Sequence, residues 1–313
     1  VDVTKDGWWL TPYKATKEWT IGVSYTDVSI SYIAALQKAV QNKAKEMGVK
    51  IIEVDAKNDT NVELSNVENL LQQKVDLLLF EGASLKASGA SIEAANKAKI
   101  PVVHFNILAE GGEYVTFVGS NQIDSGITMG KQIDKLYKEL GKPTLNGIYM
   151  RGIAGYITDE IRNQGVKDTL KEAGIADKIK WTEQYADFSR GKAQSVAESI
   201  LNKSADYDFV IANGDDMILG ALGAVKSAGL IGKIRLYCSV DGLPEVLDGI
   251  KSGEIVSTVF QNPEGQGAGG IMAATMYLDG TKDLPKQILI PFVLTDKSNV
   301  GDIMTIANRV YKQ

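Results

Sequence analysis

The stretch Val75-Asp76-Leu77-Leu78-Leu79-Phe80-Glu81 decides the fold. Apart from Asp76 it carries no polar side chain before Glu81, so neither face of the strand it forms is made for water. A strand that is apolar on both faces belongs in a parallel sheet with helices covering each side. The flanking sequence agrees. Upstream, Ile33, Leu36, Val40, Ala44 and Met47 recur at helical spacing, and Gly48 closes that helix. Short apolar runs at 21–25 and 49–54 stand on either side of it. Thr60 and Glu63 read as a capping-box pair opening a helix that carries Val67, Leu70 and Leu71. Downstream, a helix over 85–98 leads to a strand at 100–105, and 115–118 is a further short strand.

The same alternation then restarts. A helix over 123–140 precedes a strand at 145–150, a helix at 157–173 and a strand at 179–185. Ala193, Val196, Ala197, Ile200 and Leu201 form the apolar stripe of the next helix. A strand at 208–212, a helix at 216–227 and a strand at 234–240 follow, and Pro244 suits the first turn of the helix after Asp241. A strand at 255–260, a Gly-rich helix through Tyr277 and a strand at 288–293 complete the pattern. Two successive βα series predict two doubly wound parallel-sheet lobes of the α/β class, with the break near 120–124. No Pro- or Ser-rich linker separates them, so a hinge of several crossing strands is expected. The expected division is an N-terminal arm over 1–19, a first lobe of 20–120 plus 262–289, and a second of 121–261 plus 290–313, with a ligand cleft between them.

Composition narrows the function classes. The chain has 313 residues, 44% hydrophobic and 23% charged, as in an ordinary globular protein large enough for two cores. Its net charge of −5 comes without a basic block, which argues against a nucleic-acid surface. No apolar run approaches the roughly 20 residues that span a bilayer. A single cysteine, Cys238, excludes an internal disulfide, and the single histidine, His104, excludes a multi-histidine metal site. Both lie in apolar runs and read as core residues, so no metal or cofactor is expected. Trp8, Trp9, Tyr13 and Trp19 crowd the first nineteen residues; an arm packed on the body is preferred to a partner-docking patch.

Ligands of open parallel sheets bind beyond the carboxyl ends of the strands. Five predicted strands here end on a residue with hydrogen-bonding capacity: Glu81, Asn106, Asn213, Asp241 and Gln261. Polar residues simply beginning loops is the plainer reading. A polar site for neighbouring hydroxyls is the sharper one, because carboxylates and carboxamides serve them well.

Several motifs carry a family resemblance. They are Gly152-Ile153-Ala154-Gly155 followed by Arg162, Tyr185-Ala186-Asp187-Phe188, and Asn213-Gly214-Asp215-Asp216-Met217 running on to Gly220-Ala221-Leu222. Val240-Asp241-Gly242-Leu243-Pro244 and Gln261-Asn262-Pro263 complete the set. From about Thr20 onward the chain resembles the type I periplasmic solute-binding proteins of the ribose-binding class. The resemblance implies Tyr32 and Phe188 as aromatic platforms, and Arg162 and Asp241 as multidentate hydrogen-bonding groups. It adds Gln261, Glu81, Asn106 and Asn213 as further polar contacts, with Thr26 also reaching the ligand. The alternatives are core packing for Tyr32 and Phe188 and a helix-surface ion pair for Arg162. Two departures stand out: Asn106-Ile107 replaces the family's Asp-Arg pair, and Glu81 replaces its usual Asn or Asp. The implied ligand is therefore a sugar or sugar alcohol other than ribose, captured by hinge closure. The implied partner is a membrane ABC transporter permease or, alternatively, a sensor receptor kinase. The resemblance implies a monomer that is periplasmic or a cell-surface lipoprotein, its signal sequence absent from this chain.

Two other classes fit the sequence less well. A repressor of the lac type shares the motifs but begins with a helix-turn-helix of about 60 residues, for which the nineteen residues before the first strand leave no room. An enzyme is disfavoured: 152–155 lacks the Lys-Ser/Thr of a phosphate loop, and no G-x-G-x-x-G follows the first strand. Asp124, Asp215 and Asp216 read as favourable acids at helix starts rather than metal ligands. A carboxylate pair for glycoside hydrolysis stays open.

Overall fold

The computed structural model describes residues 1–312. In chain order the elements are β1 (Thr20–Tyr25), α1 (Ser31–Met47), β2 (Lys50–Asp55), α2 (Thr60–Gln72), β3 (Leu77–Phe80), α3 (Gly89–Lys97), β4 (Val102–Asn106) and β5 (Phe117–Gly119). Then follow α4 (Gln122–Leu140), β6 (Leu145–Arg151), α5 (Ile157–Glu172), β7 (Ile179–Tyr185), α6 (Arg190–Lys203), β8 (Phe209–Ala212), α7 (Asp215–Ser227) and β9 (Arg235–Asp241). The chain ends with α8 (Pro244–Ser252), β10 (Ile255–Phe260), α9 (Pro263–Leu278), β11 (Gln287–Leu289), β12 (Val293–Thr295) and α10 (Val300–Tyr311).

These elements form two compact units. The first holds residues 1–120 and 262–291, the second 121–261 and 292–313. The first unit's sheet runs β11-β5-β4-β3-β1-β2 with every pair parallel. The second runs β12-β10-β9-β8-β6-β7, parallel except for β12 against β10. Each is a doubly wound α/β layer, as the apolar strands require. β3, the deciding stretch, is buried along its whole length between β1 and β4. Asp76, just before it, accepts the Thr20 amide at 2.8 Å and so joins the starts of two neighbouring strands.

Several local expectations change. The run at 288–293 is not one strand but two, β11 in the first unit and β12 in the second. Pro291 lies between them, has no N–H for a ladder, and marks the third passage of the chain, which comes after Pro291 rather than after residue 289. The cap of α2 is Asp59, accepting from the amides of Asn61 and Val62, not the pair Thr60 and Glu63. The Glu63 carboxylate turns inward and accepts from the Ala83 amide at 2.8 Å and the Ser88 and Ser91 hydroxyls at 3.0 Å. Burial raises its pKa, and those three donors oppose the rise. It thereby fixes the loop leaving β3. Helix α10 was not foreseen at all.

The arm over 1–19 belongs to the first unit. Trp8 and Trp9 are 3% and 4% exposed and pack on α9. The glycines of α9 permit this: a Cβ on Gly269 would lie 3.1 Å from both the Trp8 ring and Val118. Asp279, just past α9, accepts from Tyr13 at 2.8 Å, the Thr16 amide at 3.1 Å and the Trp19 indole at 2.8 Å. Partial burial would raise this carboxyl, but the bonds from Thr16, Trp19 and Tyr13 hold it below the usual range. His104 and Cys238 are fully buried. Burial pushes the His104 imidazole down to about 4 and the Cys238 thiol up to about 12.

Gly269→Leu should cost about 1–3 kcal/mol through overpacking against Trp8 and Val118. Urea unfolding followed by tryptophan fluorescence measures this; an unchanged midpoint would show that the arm is not seated on α9.

Candidate functional site

Within each unit the parallel strands finish on one edge, and the polar strand-end residues collect there. In the first unit the centre is Glu81, which follows β3. Its carboxylate accepts from the Thr26 amide at 3.0 Å and from the Asn106 side-chain amide. Asn106 ends β4 with φ 56°, the left-handed region that asparagine tolerates better than most residues. Glu81 has no Lys or Arg partner among the described residues. Burial pushes its pKa up to about 7, against the opposing bonds from Thr26 and Asn106. Thr26, Glu81 and Asn106 are thus one group. Tyr32, on the first turn of α1, is a member of the unit's apolar core cluster, closer to the core alternative than to an open platform.

In the second unit the centre is Arg162 on α5, 4% exposed. Its Nη1 donates to the Asn213 carbonyl at 2.5 Å and its Nη2 to Gln261 Oε1 at 2.8 Å. Nη2 and Nε also donate to Gln122 Oε1, at 3.0 and 3.3 Å. Arg162 forms no carboxylate ion pair among the described residues, so the surface ion-pair alternative falls. The Asn213 amide is itself committed: Oδ1 accepts from Tyr149 at 2.7 Å and Nδ2 donates to Asp159 Oδ1 at 2.6 Å. Asn213 therefore braces Arg162 through its backbone, a different task from the side-chain contact expected. Asp159 also accepts two bonds from Arg151, at 2.9 and 2.6 Å, and one from the Gly152 amide. It ties the end of β6 to α5.

Asp241 ends β9 at φ 132°, backbone that a non-glycine residue adopts only at a cost. Asp215 holds the turn in place. Its Oδ2 accepts from the amides of Gly242 and Leu243, both at 2.7 Å, and its Oδ1 accepts from the hydroxyls of Ser239 and Thr258. Burial pushes Asp215 up to about 6, against those four donors. Asp241 is raised as well: burial is the main cause, the Arg162 charge pulls it back, and neighbouring Asp215 pushes it up. Gln261 joins the turn by donating its backbone N–H to the Asp241 carbonyl at 3.0 Å. Phe188 has φ 52°, uncommon for a bulky residue. Its ring stands edge-on to Tyr156 at 5.8 Å and lies against Gly152, where any Cβ would fall 2.2 Å from the ring. Gly214 separates this ring from the Asp241 carboxylate, a Cβ there lying 2.9 Å from the one and 3.5 Å from the other.

The second unit thus brings together Arg162, Asn213, Asp241, Gln261 and Phe188. Sequence reasoning missed Gln122, Asp159 and Asp215 as parts of the arrangement. Only Asp215 carried a signal, in the Asp215-Asp216 doublet, and it was read as a helix-start acid. It also missed Tyr311 on α10, whose buried hydroxyl finds no partner among the described residues and lies in the field of Asp241, Asp215 and Asp216. Among the described residues no group of three or more His, Cys, Asp or Glu could hold a metal ion. A buried guanidinium, a carboxyl and an aromatic face at one strand edge can bind a neutral molecule rich in hydroxyls.

Two parallel-sheet units with polar strand-end groups define a binding protein of the α/β class. Residues 21–282 match the periplasmic binding protein domain, and the chain belongs to that family. It is 36% identical over 281 residues to a ribose import binding protein of Bacillus subtilis (strain 168), covering 89% of this chain and 87% of that one. A solved ABC transporter solute-binding protein of Bacillus halodurans C-125 with bound myo-inositol is 27% identical, with a TM-score of 0.82 over 93% of this chain and 98% of that one. A Caulobacter myo-inositol binding protein, solved with myo-inositol, is 26% identical with a TM-score of 0.84, covering 96% and 99%.

Two substitutions test the site's energetics without any ligand. Asp241→Gly should raise the unfolding free energy by about 1 kcal/mol, because relief of backbone strain exceeds the entropic cost of glycine; a lower melting temperature contradicts the strain. Glu81 stabilises the folded protein while protonated, and that contribution is lost as pH rises from the ordinary carboxylate range through about 7. Glu81→Gln should therefore gain on the parent by about 2–3 kcal/mol between pH 5 and pH 8, read by urea titration at each pH. A margin independent of pH would place the Glu81 carboxyl in water.

Proposed function

We propose that the chain is an extracytoplasmic solute-binding protein that captures a sugar or sugar alcohol and passes it, unaltered, to an ABC transporter. The observation that carries this reading is the Arg162–Asp241–Phe188 arrangement. Its buried guanidinium and carboxyl offer multidentate bonds to adjacent hydroxyls, and the ring offers a face for the C–H side of the ligand. Thr26, Glu81 and Asn106 supply a second polar group.

The family is that of extracytoplasmic binding proteins, which supports a periplasmic or surface-anchored location. The Bacillus subtilis relative is an import binding protein, which favours transport over presentation to a sensor kinase. A monomer suits delivery to a permease. The relatives bind ribose or myo-inositol. Asn106-Ile107 puts no cation where the family pattern has an arginine, so a cyclic polyol or a sugar other than ribose is the ligand we favour.

The test is calorimetry with D-ribose, myo-inositol, D-galactose and D-allose, after a thermal-shift screen of the same four. Asp241→Ala and Arg162→Ala should each weaken the binding found by about 30-fold or more, the equivalent of roughly 2 kcal/mol or more for unpairing polar groups in a dry site. Parent-like affinity in both variants would show that the ligand sits elsewhere. Release of reducing sugar from a glycoside panel, abolished by Asp241→Asn, would replace the binding role with an enzymatic one.

A further inference from the structure

We infer that Gln122 is a further ligand-contacting residue, its side-chain Nε2 donating a hydrogen bond to an oxygen of the bound sugar or polyol. This rests on the reading just given and adds to it a residue outside the motifs.

Gln122 is the first residue of α4 and follows directly on the first passage of the chain between the units. It is 7% exposed. The orientation of its amide is fixed by chemistry. Oε1 lies 3.0 Å from Nη2 and 3.3 Å from Nε of Arg162, and a guanidinium has only donors to offer. Turning the amide over would set its NH2 against those N–H groups, so the oxygen must face Arg162 and the nitrogen must face away. That nitrogen is buried and finds no acceptor among the described residues.

A buried amide donor left unpaired is costly, and such groups in native proteins are met by another protein atom, by water or by a ligand. Here the donor stands in the Arg162 cluster, where Gln261 Oε1 accepts from the same Nη2 that Gln122 holds. An oxygen of a sugar or cyclitol placed against Arg162 can also accept from Nε2. The ligand atom is a hydroxyl or ring oxygen with a lone pair to give. Gln122 would thus read an acceptor, whereas Asp241 reads donors.

The competing role is a brace that only orients Arg162, and Gln122→Glu separates the two. Glutamate keeps, and strengthens, the acceptor facing Arg162, but replaces the donor with a second acceptor. Calorimetry would use whichever of myo-inositol, D-ribose, D-galactose and D-allose gives the largest thermal shift with the parent. We expect Gln122→Glu to lose at least tenfold in affinity at pH 7.5 while circular dichroism stays unchanged. Parent-like or tighter binding by Gln122→Glu overturns the inference and leaves a brace. On the parent itself, the Gln122 side-chain NH2 signals, identified by their absence in the Gln122→Leu spectrum, should move on saturation with the same probe. Unmoved signals overturn the inference even if Gln122→Glu fails to fold. If the parent binds none of the four probes, the functional reading falls and this inference with it. If the parent binds and only the Gln122 results fail, the functional reading stands.

Discussion

Burying a guanidinium without a carboxylate to pair it is the constraint around which the second unit is built. Arg162 is satisfied by three neutral oxygens, from Asn213, Gln122 and Gln261. A cation in a low-dielectric place costs free energy unless its donors are met and compensating charge is near. The Arg162 charge acts through space on nearby Asp241, pulling its carboxyl back even as burial raises it. Direct pairing of the two would cancel both as ligand groups. Holding Arg162 on carbonyl oxygens leaves the Asp241 carboxyl available to hydroxyls.

That choice passes work to groups that need never touch a ligand. Asp159 and Asp215 are both fully buried, and both accept from backbone amides at the end of a strand. Asp159 secures the turn at Gly152, against which the Phe188 ring rests, and grips the Asn213 amide whose carbonyl holds Arg162. Asp215 secures the strained turn at Asp241. Three of the residues proposed to face the ligand, Asn106, Phe188 and Asp241, sit at positive φ. Strain of this kind persists only where the surroundings over-determine it, and it collects at functional sites. Stability is given up at these turns for placement, so substitutions that relax them should help the fold and harm the site.

The sequence made some of this legible and not the rest, for physical reasons. Strands such as β3 could be read because a buried strand must be apolar on both faces, a constraint that local composition displays. The split of 288–293 could not, because which sheet a three-residue strand joins is decided by tertiary pairing; Pro291 was the only local sign. Glu63 stands three residues after Thr60, as in a capping box, yet the helix is capped by Asp59 and the Glu63 side chain obeys a loop twenty residues away. Asn213 was found by motif, but the commitment of its amide to Tyr149 and Asp159 was not legible, since spacing does not say which way an amide points. Gln122 had no signal at all: a glutamine at a helix start is ordinary until Arg162, forty residues on, is folded against it. Helix α10 was missed because the alternation was taken to be complete before it.

The motifs and the departures also fall in different places. The recognisable elements around Arg162, Phe188, Asp215 and Asp241 all lie in the second unit, where a network of buried charges and backbone amides leaves little freedom to vary. Each of those positions is held by several others, so one change would strand a buried charge or release a strained turn. The departures, Glu81 and Asn106-Ile107, lie in the first unit. There a single carboxyl, held by Thr26 and Asn106 and without a cationic partner among the described residues, can be exchanged at the cost of only a few bonds. The polar group of the second unit is thus fixed by its surroundings, while that of the first unit is open to change. Burial brings the Glu81 pKa up to about 7, so near neutrality the carboxyl can be protonated and donate or ionised and accept.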